Sequence, residues 1–201
     1  MTHRVTQGQA AEDDRFLRSL SDQLNPVGSW GAFRRGARAA AVTAILYQKR
    51  GNWHMPFVLR RPDLPSHPGQ VGLPGGGVRA GEDAWAAAAR EAEEEISVPA
   101  ASLRPLGAGP AVYAAVSNYS VVPFVAWLPS PPRVFVPDPG ELVGVLDVPL
   151  ATLLDESAWR VVPPLPGPQL QVAGSVIWGL TGKLLDGLLP VFARALREAS
   201  R

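Results

Sequence analysis

The stretch from Leu73 to Val98 reads LPGGGVRAGEDAWAAAAREAEEEISV, a glycine-rich loop followed by a strongly acidic segment. Ala and Glu dominate from Glu82 to Ile96, and because both are good helix formers we predict a helix there. Apolar residues in this segment recur at i, i+4, i+7 and i+11, the spacing of a buried helical stripe. They are Trp85, Ala89, Ala92 and Ile96.

The acidic residues of this predicted helix form a second pattern. A turn of about 100° per residue from Trp85 brings Glu91, Glu94 and Glu95 together on the opposite side. Arg90 lies beside them. Like charges at these spacings cost about 0.2–0.5 kcal/mol per pair, and the C-terminal half of a helix disfavours negative charge. A divalent cation would reverse these terms, and carboxylate oxygens favour Mg²⁺ or Mn²⁺. The alternative is a solvated acidic face.

The loop before the helix favours the metal-site interpretation. The run Leu73-Pro74-Gly75-Gly76-Gly77 allows backbone to approach a phosphate or a metal without an intervening side chain. A strand, a glycine-rich loop and an acidic helix in this order place bare backbone and carboxylates at one end of the same unit. The pattern therefore predicts a metal-dependent phosphate site.

The rest of the chain predicts a mixed α/β domain. Apolar spacing indicates an amphipathic helix over about residues 11–24 and a closing helix from about Leu180 to Glu198. A proline- and glycine-rich loop is expected over residues 62–77. The predicted strands are Ala39 to Tyr47, Phe57 to Arg60, Ala111 to Ala114, Val121 to Leu128, Arg133 to Val136 and Leu142 to Val148. Interleaved strands and helices favour a mixed sheet covered by helices.

Length and composition limit the classes of protein. A chain of 201 residues fits one compact domain, and we predict an N-terminal helix and linker (1–30) packed on a main domain (31–201). The net charge of +1 gives no general affinity for nucleic acid or anionic membrane. The absence of cysteine excludes thiolate chemistry and is compatible with a reducing cytoplasm. We found neither a secretory signal nor an apolar run of membrane-spanning length, so a cytoplasmic location is expected.

The acidic helix and its loop resemble the Nudix box, Gly-x5-Glu-x7-Arg-Glu-U-x-Glu-Glu-x-Gly-U, in which U is apolar. The matching positions are Gly76, Glu82, Arg90, Glu91, Ala92, Glu94, Glu95 and Val98. Only Ser97 departs, where the family has a glycine that eases the chain out of the helix. The resemblance implies a Nudix α/β/α sandwich with a mixed central sheet, and an enzyme that hydrolyses a nucleoside diphosphate linked to another group.

The resemblance also implies roles for individual residues. Glu91 and Glu95 would be the principal ligands of Mg²⁺ or Mn²⁺, and Glu94 a further ligand or a base. Arg90 and Glu82 would form a pair that holds the loop to the helix. The metal would activate a water for attack on phosphorus and neutralise the pyrophosphate oxygens.

Residues upstream are similar to the motif of the coenzyme A diphosphatase subfamily, Arg-(Ser/Ala)-x3-Arg-x3-Gly-x3-Phe-Pro-Gly-Gly. Arg61, Pro65 and Leu73 depart from that motif, whereas the matching positions are Arg60, Gly69, Pro74, Gly75 and Gly76. The resemblance implies hydrolysis of coenzyme A or a derivative to 3′,5′-ADP and 4′-phosphopantetheine, or its acyl form. The implied substrate-binding residues are Arg60, Gln70, Gly75 and Gly76.

Several alternatives stay open on the sequence. The substrate could be another nucleoside diphosphate derivative such as ADP-ribose or NADH, or the chain could be a non-catalytic Nudix binding module. His67 is a further candidate for substrate contact and Glu141 for a distal general base. A small-molecule substrate is expected as partner, with a monomer or a homodimer as the assembly.

Overall fold

The computed structural model describes residues 7–201, so residues 1–6 of the predicted N-terminal unit lie outside it. The helices are α1 (Gln7–Gln23), α2 (Ala84–Ile96), α3 (Leu150–Leu154) and α4 (Gly179–Ala199). The strands are β1 (Arg38–Lys49), β2 (Asn52–Arg60), β3 (Val71–Gly72), β4 (Gly75–Gly77), β5 (Arg104–Ala108), β6 (Val112–Ala114), β7 (Tyr119–Trp127), β8 (Leu142–Pro149), β9 (Trp159–Val161), β10 (Pro168–Val172) and β11 (Ser175–Ile177).

A mixed sheet organises the domain around strand β1. This strand pairs in parallel with β7 and antiparallel with β2 and β4. Strands β5 and β6 extend the sheet from β7, while β3 and β8 extend it from β2. Strands β9, β10 and β11 form a separate antiparallel sheet. Strands β1 and β2 are joined by a tight hairpin turn, in which Arg50 and Gly51 both have positive φ.

Helices cover both faces of the main sheet. Alternate residues of β1 point to opposite sides, so the strand contributes apolar side chains to a core on each face. Ala44 and Leu46 pack into a core shared with α1 and α4. Ile45 and Tyr47 pack on the other face, in the core that includes Ala92 and Ile96 of α2. The expected α/β/α sandwich with a mixed central sheet is therefore confirmed.

Helix α1 is fixed to the domain by apolar and polar contacts. Phe16 and Leu20 are buried in the core that also contains Phe192 of α4. Ser19 Oγ donates to Glu198 Oε2 at 2.6 Å, and Arg15 Nε donates to the carbonyl of Ala199 at 2.8 Å. The division of the chain at residue 30 stays a prediction. Within residues 7–201 no helix combines the length and apolarity needed to cross a membrane.

The strand predicted over Arg133 to Val136 is wrong. That segment runs without regular structure, although Phe135 is buried against Tyr47 with ring centroids 5.4 Å apart. Prolines at 131, 132 and 137 flank it and remove the backbone donors that a strand ladder needs. Three consecutive apolar residues here belong to a segment that packs through one buried side chain, Phe135, and not to a strand.

Candidate active site

Helix α2 carries the acidic residues, and its ends are set by side chains on either side. The Asp83 carboxylate accepts hydrogen bonds from the backbone N–H groups of Trp85 and Ala86, which caps the N-terminus. At the other end Ser97 adopts a left-handed conformation with φ of 56°. Its hydroxyl donates to the carbonyl of Val136 at 3.1 Å. Serine thus takes the conformation that glycine supplies at this position of the Nudix box.

The glycine-rich loop meets α2 at two consecutive glycines. The Gly75 N–H donates to Glu95 Oε2 at 2.9 Å. A Cβ atom at Gly76 would lie 2.6 Å from Glu91 Cδ, and one at Gly75 would lie 2.4 Å from the carbonyl oxygen of Ala41. Backbone atoms therefore require glycine at Gly75, whereas at Gly76 the near atoms belong to the Glu91 carboxylate. The close approach brings Glu91 and Glu95 against bare backbone.

Arg90 is the centre of a charge network on the outer side of α2. Its Nε donates to Glu82 Oε1 at 2.8 Å, and its Nη1 donates to Glu91 Oε1 at 2.7 Å and Glu94 Oε2 at 2.8 Å. Hydrogen bonds from Arg90 lower the pKa of Glu82 to about 2. The Arg90–Glu82 pair expected from the Nudix box is present. Arg90 therefore supplies part of the compensation that the sequence argument assigned to a metal.

Arg79 joins this network without having been predicted. Its backbone N–H donates to Glu82 Oε2 at 2.9 Å, and its Nη2 donates to Glu94 Oε1 at 3.3 Å. Arg79 is outside the fixed positions of the box, so only its place between the glycine loop and Glu82 hinted at a role.

Glu95 departs from the arrangement inferred from the helix. It was expected opposite the buried stripe, but it is only 5% exposed, whereas Trp85 is half-buried. Alanines at 88 and 92 place Glu95 on the same inward face by their i, i+4, i+7 spacing. Burial raises the pKa of Glu95 to about 8, although the Gly75 N–H opposes this change. Glu91, Glu94 and Glu95 therefore occupy three different environments.

Arg60 lies beside the buried carboxylate. Its Nη1 is 3.9 Å from Glu95 Oε1 and 3.4 Å from Glu141 Oε2, while its buried Nε has no hydrogen-bond partner among the residues described. Arg60, a predicted substrate-binding residue, thus lies between Glu95 of α2 and Glu141, the candidate distal base. Arg61 instead forms a bidentate pair with Asp63.

Gln70 and His67 lie farther along the loop. His67 Nδ1 and Gln70 Oε1 are 2.9 Å apart, and both residues line a cavity on the α4 side of the sheet. The Gln70 carbonyl accepts from the Arg60 N–H at 3.0 Å, so the loop is connected to the carboxylate site through its backbone.

The carboxylate oxygens at the site are suitable ligands for a hard divalent cation, although two of the three carboxylates contact Arg90 in this structure. Within residues 7–201 no three potential metal ligands form a ready-made cluster. Glu91 and Glu94 share Arg90 Nη1, while Glu95 faces the loop. The buried Glu95 carboxylate accepts from the Gly75 N–H and lies 3.9 Å from Arg60 Nη1. The ligands that Glu91, Glu94 and Glu95 could offer are carboxylate oxygens, which Mg²⁺ and Mn²⁺ prefer.

The glycine loop and the carboxylates of α2 together form a candidate site for a divalent cation and a phosphate group. Comparison with known proteins identifies the family. The NUDIX domain matches residues 37–164. The chain therefore belongs to the Nudix family. The Klebsiella pneumoniae protein called uncharacterized Nudix hydrolase NudL is 36% identical over 143 residues, or 70% of this chain and 71% of the relative.

Other similarities are more limited. The Escherichia coli K12 protein of the same name is 39% identical over 92 residues, covering 45% of this chain. The match spans about half of that relative's length, 47%. The crystal structure of MutT protein from Methanosarcina mazei Go1 superposes with a TM-score of 0.51 at 18% identity, covering 85% of this chain and all of the other. This likeness shows a shared fold.

Proposed function

We propose that this protein hydrolyses the pyrophosphate bond of coenzyme A or a derivative, giving 3′,5′-ADP and 4′-phosphopantetheine or its acyl form. Mg²⁺ or Mn²⁺ would be held by Glu91, Glu95 and Glu94. The observation that carries this proposal is the convergence of two carboxylates on two consecutive glycines. Glu95 contacts the Gly75 N–H, and Glu91 lies against Gly76.

The residues around the two glycines would have separate roles in the hydrolysis of a pyrophosphate bond. A bound divalent ion supplies water activation and charge neutralisation. The side chain of Arg60 is about a quarter exposed beside Glu95, so its guanidinium is suited to donate to phosphate oxygens. Glu94 is half-exposed and is suited to accept a proton from water.

Loop and helix keep the carboxylates in register. Arg90 holds Glu91 and Glu94 on one side and Glu82 on the other, which ties the end of the loop to the helix. A cation ligated by Glu91 and Glu94 would replace their contacts to Arg90 Nη1. Arg90 would keep its contact with Glu82, so it acts as a positioning residue.

Coenzyme A is favoured by the upstream motif, which ends in the glycines that meet the carboxylates. The motif's second arginine is replaced by Pro65, and Arg61 is occupied by Asp63, so Arg60 is the cation of the motif that remains for substrate. ADP-ribose or NADH is the rival substrate class. A non-catalytic binding module is disfavoured because the box keeps all its carboxylates.

Turnover of a panel of diphosphates tests the proposal. Coenzyme A, acyl-coenzyme A, ADP-ribose and NADH would be incubated with Mg²⁺ or Mn²⁺ in ¹⁸O-water, and products identified by mass spectrometry. We expect coenzyme A derivatives to have the highest kcat/KM and chelation by EDTA to abolish turnover. Preferred hydrolysis of ADP-ribose or NADH would contradict the proposed substrate. If no compound of the panel were hydrolysed in the presence of metal, the proposed enzymatic activity would be wrong.

A further inference from the structure

A cavity of about 520 Å³ lies on the α4 side of the sheet. The loop at Gln70, the end of β6, the segment before β10 and the start of α4 form its walls. This volume is within the usual range for small-molecule sites. None of the Nudix-box residues lines it, so the cavity is separate from the carboxylate site.

The cavity is joined to the carboxylate site by one short piece of chain. Gln70 lines the cavity, and five residues later the Gly75 N–H donates to Glu95. Five residues span at most about 17 Å. The intervening Val71 is held in place, because its carbonyl accepts from the buried Thr181 hydroxyl of α4 at 2.8 Å. A diphosphate at the glycines could therefore extend a substituent into the cavity.

The lining favours an uncharged, extended group. Its charged side chains are Lys183 and Asp186, whose opposite charges cancel, and the imidazole of His67 also lines it. Apolar walls come from alanine, valine, proline and leucine side chains, and polar groups come from Gln70, Tyr113, Ser117 and Trp178. Amide, hydroxyl and indole groups suit a ligand with amides and no net charge. A nucleoside carrying a phosphate dianion would need more positive charge than this lining offers.

We infer that this cavity holds the uncharged arm of the diphosphate substrate, together with any acyl group at its end. The inference rests on the proposed function, in which coenzyme A has an anionic nucleoside half and a neutral pantetheine half. The nucleoside half then lies outside the cavity. The arm and an acyl group at its end would share the 520 Å³ of this cavity.

Saturation-transfer NMR with two uncharged fragments, pantetheine and adenosine, tests the assignment without turnover. Ala115 is an exposed residue of the lining, so Ala115→Trp fills the cavity without entering the core. Ala10→Trp, at an exposed position of α1, is the matched control. We expect wild-type protein and Ala10→Trp to transfer saturation to pantetheine, and Ala115→Trp to lose at least about four-fifths of that signal.

Two results would overturn the inference. Pantetheine could give no transfer from wild-type protein, or its signal could survive in Ala115→Trp. A kinetic arm adds kcat/KM for coenzyme A and hexanoyl-coenzyme A, which Ala115→Trp should lower at least tenfold and Ala10→Trp should leave unchanged. If wild-type protein hydrolyses no coenzyme A derivative, the proposed function fails, whereas the fragment result still reports on the cavity.

Discussion

At the scale of single residues, Glu95 is where function and stability conflict. A carboxylate that is only 5% exposed is costly to ionise, which is why the pKa of Glu95 rises to about 8. Between pH 4.5 and 8 the folded protein keeps a proton on Glu95 that the unfolded chain has lost. The stability of the metal-free protein therefore falls as pH rises through this window.

Glu95→Gln should separate the two effects. We expect at least about a hundredfold loss in kcat, because a proposed metal ligand is removed. In metal-free buffer the Tm of the variant should vary less between pH 5 and 9 than the wild-type Tm. The variant's Tm should exceed that of wild type most above pH 8. Glu93→Gln is the matched control on the same helix, since Glu93 is exposed and outside the box. Unchanged activity in Glu95→Gln would refute the proposed metal site.

The two glycines of the loop should respond differently to alanine. At Gly75 the new Cβ would meet the backbone of Ala41 and Val42, with φ at 153°, so Gly75→Ala should destabilise by about 3 kcal/mol. At Gly76 it would meet the Glu91 carboxylate, the movable end of a side chain. Gly76→Ala should therefore cost about 1 kcal/mol or less while reducing kcat strongly. Urea denaturation and kinetics on both variants check this, and equal stability losses would contradict it.

At the scale of elements, the end of α2 depends on a serine in a left-handed conformation. Ser97→Gly and Ser97→Ala both lose the hydroxyl bond to Val136, but only alanine keeps a Cβ at φ of 56°. The glycine variant should therefore be more stable than the alanine variant by about 1 kcal/mol. Chemical denaturation of the pair measures this difference directly. If Ser97→Ala is as stable as Ser97→Gly or more stable, residue 97 does not have the left-handed conformation described here.

Sequence patterns located most of the long elements and missed most of the short ones for identifiable reasons. Helices α1, α2 and α4 and strands β1, β6, β7 and β8 were predicted, whereas β2 was predicted only from Phe57 to Arg60. Strand β5 was missed because Pro105 and Gly107 interrupt it and give a register shift against β7. Strands β9, β10 and β11 are three to five residues long and lie beside a proline-rich loop. Strands β10 and β11 form a tight hairpin at Ala173-Gly174, where both residues have positive φ. The sequence Ala-Gly lacks the Asn-Gly or Asp-Gly signal that usually marks such a turn.

The site was predictable to a similar degree. The spacing of the Nudix box placed the carboxylates on α2 and the glycines beside them. It did not reveal that Glu95 is buried, because Trp85 was taken as the centre of the inward face. Alanine-rich helices leave this direction ambiguous, since small apolar residues also tolerate exposure. The environment of Glu95 depends on the sheet beneath the helix, which helical spacing alone does not specify.

At the scale of the whole molecule, the sandwich separates the site from much of the stabilising core. The carboxylates lie on the α2 face, whereas α1 and α4 pack together on the opposite face. Phe16 of α1 also contacts Trp53 of β2, with ring centroids 4.9 Å apart. Changes in α1 should therefore alter the stability of the domain without altering the chemistry of the site.

Leu20→Ala tests this separation. Leu20 is fully buried between α1 and α4, so its truncation should destabilise by about 2–5 kcal/mol through lost burial and the cavity left behind. At a temperature where the variant stays folded, kcat and KM should match wild type within about twofold, since the core it lines lies across the sheet from Glu95. Arg18→Ala, exposed on the same helix, should change neither stability nor kinetics. Urea denaturation and steady-state kinetics give the two readouts, and a selective loss of kcat in folded Leu20→Ala would show that α1 acts on the site through the sheet.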